Sequence, residues 1–187
     1  DNLLTASECQ HIINLAEPNL KSSTMIVDNK EVVNPNRSSR SAFVTKNGEL
    51  PYYDAILHRF LSRLSYLTNM PMEHFEGMKV VNYRTGEEYK AHHDFFRKHD
   101  NFTQECGDRI MTFFVYLNTM EEGQGGTTSF PEVGIQNKPT AGTGIFWLNM
   151  DFQGNYFEKT LHSGDKVLAE GVEKWGVNVW IRERRYP

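Results

Sequence analysis

The chain has 187 residues, 39% of them apolar and 12% aromatic, with 20 basic and 24 acidic side chains and a net charge of −4. That is one domain's worth of chain; the aromatic content excludes wholesale disorder, and a pI near 6.0 excludes a nucleic-acid binder working by bulk electrostatics. Cys9 and Cys106 are too few for a disulfide scaffold or a cysteine zinc module and read as isolated thiols, and no apolar run approaches the ~20 residues that span a bilayer. The chain opens at Asp1, as a processed product would, so a missing leader carries no weight.

The first third reads helical. Thr5-Ala6-Ser7-Glu8 fits a capping box, and Cys9, Ile12, Ile13 and Ala16 follow as one apolar stripe that Pro18 ends. A second helix is predicted over Tyr52 to Leu67, with Tyr53, Ile56, Leu57, Phe60 and Leu64 on one face. Between them Asn34 to Arg40 is polar and contains Pro35, which predicts a mobile loop.

After residue 77 the hydrophobic period changes to two. Strands are predicted over 78–83, 89–96, 109–118, 127–130, 144–149, 159–167 and 177–183, separated by Pro, Gly and Asn clusters. The run from Arg109 to Leu117 is nearly all apolar, so that strand is buried on both faces. Helices first and short strands after predict one α+β domain over 1–187. Residues 1–76 give mainly helical support and 77–187 a jelly-roll core.

The chemistry starts at Tyr89-Lys90-Ala91-His92-His93-Asp94. On a strand, His92 and Asp94 project to one face and His93 to the other. An imidazole beside a carboxylate is two-thirds of a 2-His-1-carboxylate facial triad, which leaves Fe(II) positions open. His-x-Asp alone arises by chance too readily to decide this, and His74-Phe75-Glu76 is a rival, though it precedes the first strand. The third ligand falls to His162, the sole histidine after His99; alone, it reads equally well as an exposed strand-end residue. A carboxylate-bearing cosubstrate would also need a cation. Lys174 and Arg182 are the candidates, with Lys166 nearer to His162 but at a turn.

Taken together, the motifs resemble the prolyl 4-hydroxylase family of Fe(II)/2-oxoglutarate dioxygenases, in its plant, algal and viral branch. The opening helix, Arg40-Ser41 at the family's Arg-Thr-Ser, Tyr83 through Tyr89 to His92 and Asp94, Arg109 to Leu117, Gly125 to Pro131, Gly144 to Trp147, His162-x-Gly164, Lys174-Trp175 and Trp180 to Arg182 match in order along nearly the whole chain. The resemblance implies a double-stranded β-helix, a jelly-roll variant with supporting N-terminal helices. It implies His92, Asp94 and His162 as catalytic Fe(II) ligands and Lys174 as the partner of the distal carboxylate of 2-oxoglutarate. It implies Tyr83, Thr128 and Trp180 in the cosubstrate pocket, and Arg40, Tyr89 and Arg109 at the peptide, with Arg40 in a mobile loop over it. Ascorbate is expected as the reductant, and the partners are a proline-containing peptide or protein and O2, with no nucleic acid and no membrane.

Three departures stand out. Lys174 lies twelve residues after His162, where the family spacing is ten; the extra length falls in Asp165 to Glu173, which keeps the parity of the last strand. The Gly-Gly loop is lengthened at Glu121 to Gly126. Arg182 stands where relatives acting on collagen-like chains often carry a His, and is expected to face the peptide. Two alternatives stay open: an oxygenase acting on another residue such as lysine, and a metal-binding jelly roll without turnover. Location is open too, since the sequon Asn101-Phe102-Thr103 is too common to decide it.

Overall fold

The computed structural model describes residues 2–27, 30–33, 36–44, 54–97, 101–151 and 153–187. Helix α1 (Ala6–Ala16) starts at the capping box: Glu8 N donates to Thr5 Oγ1, and Thr5 N donates back to Glu8 Oε2. Four short strands follow, β1 (Lys21–Ser22), β2 (Thr24–Val27), β3 (Lys30–Val33) and β4 (Arg40–Phe43). Helix α2 (Ala55–Thr68) begins three residues later than expected, because Asp54 caps it by accepting from Ile56 N and Leu57 N; Tyr52 and Tyr53 lie outside the described residues.

The remaining elements are β5 (Lys79–Tyr83), β6 (Tyr89–His92), α3 (Asn101–Cys106), β7 (Arg109–Tyr116), β8 (Thr128–Phe130), β9 (Ile135–Asn137), β10 (Gly144–Leu148), β11 (His162–Gly164) and β12 (Lys174–Arg182). They form a six-stranded sheet, β1-β4-β5-β12-β7-β10, and a four-stranded sheet, β6-β11-β8-β9, with β2-β3 as a separate pair. All pairings are antiparallel, and the fold is a jelly roll.

Two cores follow from strand alternation. One packs Cys9, Ile12 and Ala16 of α1 and Leu57, Phe60, Leu61 and Leu64 of α2 on the outer face of the larger sheet. The other lies between the sheets and joins Val81, Tyr83, Phe114, Tyr116, Phe130 and Trp147. On β12 the split is residue by residue. Trp175, Val177, Val179 and Ile181 face the helices, while Lys174, Asn178, Trp180 and Arg182 line the cavity on the other side. Strand β7 is buried on both faces, as its composition predicts. Gly176 on β12 is required, since a Cβ there would run into the Phe114 ring. Cys9 and Cys106 are buried and form no disulfide.

The first 76 residues are not only helical. Strands β1 and β4 extend the larger sheet, and β4 pairs with β5. Asn34 and Pro35 lie outside the described residues; from Asn36 to Arg40 the stretch is hydrogen-bonded to residues 88–90: Lys90 N donates to Asn36 O at 2.9 Å, Arg37 bridges to Tyr89, and Ser38 N donates to Glu88 O at 3.1 Å. Its polar residues read as loop because their partners are distant in sequence. Ser39 Oγ, for example, is buried and donates to Ser23 Oγ at 2.9 Å.

The two lengthened segments meet each other. Gly126 N donates to Lys166 O at 2.9 Å, Leu168 N donates to Gln124 O at 2.8 Å, and Gly125 bridges to Val167. Gly125 has φ 75°, and a Cβ there would strike the Lys166 carbonyl.

Candidate active site

A cavity of about 370 Å³ opens between the sheets. Strand β6 delivers His92, the bend after it delivers Asp94, and β11 delivers His162. The strands pair so that His162 sits opposite His92. One ligand atom from each of these three residues lies within 4.8 Å of the other two, the only such group among the described residues. Asp94 Oδ1 is 3.8 Å from His92 Nε2, and Asp94 Oδ2 is 3.7 Å from His162 Nε2. Each Nδ1 is tied to a backbone carbonyl, His92 to Lys90 O at 2.8 Å and His162 to Thr160 O at 2.9 Å. Those bonds assign the proton to Nδ1 and leave both Nε2 lone pairs facing Asp94.

Electrostatics keep the donors in ligating form. Burial, then the neighbouring His162 ring, push His92 down to about 3, so it is neutral at physiological pH. Burial works against the Asp94 charge, but the His162 and His92 imidazoles and the Arg109 guanidinium hold the carboxyl below its usual range. Thr112 Oγ1 donates to Asp94 Oδ2 at 2.8 Å, and the buried Asn149 Nδ2 donates to Thr112 at 2.9 Å. Asn149 escapes sequence reading because a lone Asn at a strand end reads as a turn residue. Two imidazoles whose Nε2 atoms face an ionised carboxylate suit Fe(II).

Deeper in, Lys174 is 1% exposed. Its Nζ donates to Thr127 O at 3.3 Å and lies 5.3, 5.4 and 5.7 Å from the ring centres of Tyr83, Phe114 and Tyr116. It forms no ion pair among the described residues, and burial pushes it down to about 7. Thr128 Oγ1, near the Tyr116 hydroxyl, and Trp180 Nε1 are buried without hydrogen-bond partners. A buried ammonium and an unsatisfied hydroxyl in one pocket fit a ligand carboxylate. Lys166 is exposed on its turn, so parity and burial both select Lys174.

Of the basic residues, Arg109, Lys174 and Arg182 line the cavity, and Arg40 departs from expectation. Arg40 does not line the cavity. It sits opposite Asn82 across β4 and β5, on the outer face, where it donates to Asn82 Oδ1 and pairs with Glu173 at 3.2 Å. The cavity-lining arginine of that stretch is Arg37, buried with its guanidinium 4.6 Å over the Tyr89 ring. Arg37-Ser38-Ser39 fits the Arg-Thr-Ser pattern better than Arg40-Ser41, and two identical positions with a hydroxyl residue, Ser38, in place of the Thr are the signal that finds it.

Arg182 lines the cavity but is 1% exposed and locked. Its Nε donates to Glu76 Oε1 at 2.5 Å and its Nη1 to Gly107 O at 2.8 Å. Arg109 grips the same carboxylate through Nε and Nη2, both at 2.7 Å, stacks 3.8 Å from the Trp180 ring centre, and donates from Nη1 to Asp94 O at 3.4 Å. Burial alone would raise Glu76, but Arg109 and Arg182 hold its carboxyl low. Glu76 is therefore no metal ligand, and His74 Nδ1 faces the Arg182 carbonyl instead. His93 turns from the triad, its Nε2 2.9 Å from Glu158 O and its ring stacked on Phe95 at the cavity wall.

Comparison with known proteins gives this geometry its family. The model of the 2OG-Fe(II) oxygenase superfamily matches residues 78–182. The chain is 29% identical over 206 residues to a probable prolyl 4-hydroxylase 10 of Arabidopsis thaliana, covering 99% of this chain and 68% of that protein. It is 32% identical to the human prolyl 4-hydroxylase subunit alpha-1, covering 98% of this chain and 34% of that much longer subunit. Among solved structures, the viral collagen prolyl hydroxylase of Paramecium bursaria Chlorella virus-1, in its 2-oxoglutarate complex, is 28% identical and superposes with a TM-score of 0.75 over 97% of this chain and 93% of that one. With a buried His-Asp-His triad set beside a buried lysine inside a jelly roll, the chain belongs to the 2OG-Fe(II) oxygenase superfamily, and its relatives along nearly the whole length are prolyl 4-hydroxylases.

Proposed function

We propose that this protein is a peptidyl-proline 4-hydroxylase that uses Fe(II), 2-oxoglutarate and O2, with ascorbate to keep the iron reduced. The observation that carries the reading is the pairing, in one cavity, of the three buried ligands with the buried, ion-pair-free Lys174. Similarity to prolyl 4-hydroxylases of plant and animal origin narrows the substrate to proline in a peptide or protein. Bound at this site, iron and 2-oxoglutarate supply the oxidation, with decarboxylation to succinate and CO2 coupled to placing one oxygen atom on a C–H bond.

The chain's own residues bind and exclude. His92, Asp94 and His162 hold the metal through Nε2 and carboxylate oxygens, and Thr112 and Asn149 fix the Asp94 rotamer. Lys174 donates to the distal carboxylate of the cosubstrate, with Tyr83, Thr128 and Trp180 forming the surrounding wall. Tyr89, Arg37, Arg109 and Arg182 line the side where the peptide lies. Phe114 and Trp147, both buried, keep water from the reacting atoms.

The test is mass spectrometry on collagen-like, poly-proline and single-proline peptides, with succinate measured alongside. A gain of about 16 Da on proline, matched by succinate, is the expected result. Succinate release with no modified proline in any peptide would assign the chemistry to another substrate.

A further inference from the structure

The cavity is far more basic than the chain around it. The protein carries a net charge of −4. Yet the described cavity wall carries Arg37, Lys79, Arg109, Lys174 and Arg182 against two carboxylates, Glu76 and Asp94. If the reading above holds, Asp94 faces the metal and Lys174 faces the cosubstrate. What remains toward the substrate is Arg37 and a pair of guanidinium groups sharing the single Glu76 carboxylate.

These cations flank the triad on two sides. On the His92 side, Arg37 lies over Tyr89, and the Tyr89 ring lies 3.6 Å from the His92 ring. Arg37 donates through Nε to Ser39 Oγ at 3.3 Å and forms no ion pair among the described residues. On the Asp94 side, Arg109 reaches the Asp94 carbonyl and meets Arg182 at Glu76. A chain crossing the metal therefore passes between positive groups before and after the reacting residue. A guanidinium held this deep without a carboxylate is costly, and its planar fork matches a carboxylate with two parallel hydrogen bonds.

We propose that the substrate is an acidic segment, with Asp or Glu side chains flanking the target proline; the proposal rests on the prolyl-hydroxylase reading. Arg37 is the residue that selects them, and the Glu76-bridged arginines hold the other end of the segment in a positive field.

The experiment compares single-proline peptides identical except for two flanking residues, both Asp, both Gln or both Lys, scored by the 16 Da gain and by succinate. At about 50 mM salt the Asp peptide should exceed the Gln peptide in kcat/KM on the order of 10-fold, and the Lys peptide by more. At about 500 mM salt the advantage should shrink several-fold, since screening weakens it. Arg37→Gln should reduce the Asp-over-Gln ratio to within about 3-fold, while Arg37→Lys, which keeps the charge but loses the fork, should give a ratio between those of Arg and Gln. Hydroxylation of all three peptides at equal rates, or best with Lys, overturns the proposal and leaves the reading standing. So does a ratio that ignores salt and Arg37→Gln. Consumption of 2-oxoglutarate with no proline modified in any of the three overturns the reading, and the proposal with it.

Discussion

Tyr89 and His92 stack face to face, 3.6 Å between ring centres and 17° between planes, although they stand three positions apart on one strand. On a regular strand that odd spacing would put them on opposite faces. A bulge undoes the alternation: Tyr89 and His92 span three steps on β6 where their partners Gly164 and His162 span two on β11. The same kink lets His92 Nδ1 reach Lys90 O. The ligand's orientation thus depends on the ring beneath it. Tyr89→Phe should keep Fe(II) affinity near that of the parent, whereas Tyr89→Ala should weaken it on the order of 10-fold, read by metal titration with 2-oxoglutarate absent. Equal affinity in both variants would show that the stack orients nothing.

Replacing His92, Asp94 or His162 with Ala should each remove turnover below detection, with far-ultraviolet circular dichroism unchanged. His93→Ala should retain most activity, because its ring faces Glu158 and Phe95. A dead His93→Ala would require a different ligand set.

Lys174→Ala should raise the 2-oxoglutarate constant on the order of 30-fold or more, the loss of about 2 to 5 kcal/mol from a charge-assisted contact, with metal affinity nearly intact. Lys166→Ala and Arg40→Ala should leave that constant unchanged, since one is exposed and the other faces Glu173.

Burial holds Lys174 at about 7 in the ligand-free protein. An unfolded lysine titrates near 10.4, so between those values the unfolded chain binds a proton that the folded one does not, and stability without ligand rises with pH across that window. A carboxylate brought against the ammonium reverses the depression. Binding of 2-oxoglutarate to the Mn(II)-loaded protein should therefore take up close to one proton at about pH 8.5 and almost none at about pH 6, measured by calorimetry in buffers of different ionisation enthalpy. Lys174→Met should abolish the uptake; uptake equal at both pH values would place the titration elsewhere.

Among the described residues, Glu76 is the ion-pair partner that Arg109 and Arg182 share. Glu76→Gln leaves both cations buried with a neutral neighbour and should cost about 3 to 5 kcal/mol. For a chain of this size that lowers Tm by roughly 6 to 20 °C in a thermal scan. An unchanged Tm would mean that water enters the cluster and solvates the arginines.

How far the sequence carries depends on whether a residue's partners are local. The capping box of α1, the all-apolar β7 and the parity that puts Lys174 inside are written in neighbouring residues and appear as expected. His92 and Asp94 meet as expected too, though the strand stops at His92 and a bend supplies Asp94. Arg40 faces outward because β4 pairs with β5 in a register set by residues some forty positions away. Glu76 reads as a rival metal carboxylate because the two arginines that claim it lie thirty-three and one hundred and six residues downstream. Strand β9, three residues with an exposed face, is too short for a period to register.

The contacts between the Glu121–Gly126 loop and the Asp165–Glu173 turn make the two lengths interdependent. Each segment supplies backbone partners that the other would otherwise lack, so neither can be trimmed to the shorter family length alone without leaving amides and carbonyls unmatched. Gly126 stands against Lys174 itself: a Cβ there would lie 3.3 Å from Lys174 Cδ. Chimaeras that exchange these segments with a relative should therefore move them together as one cassette, since altering either alone would shift the floor under the lysine.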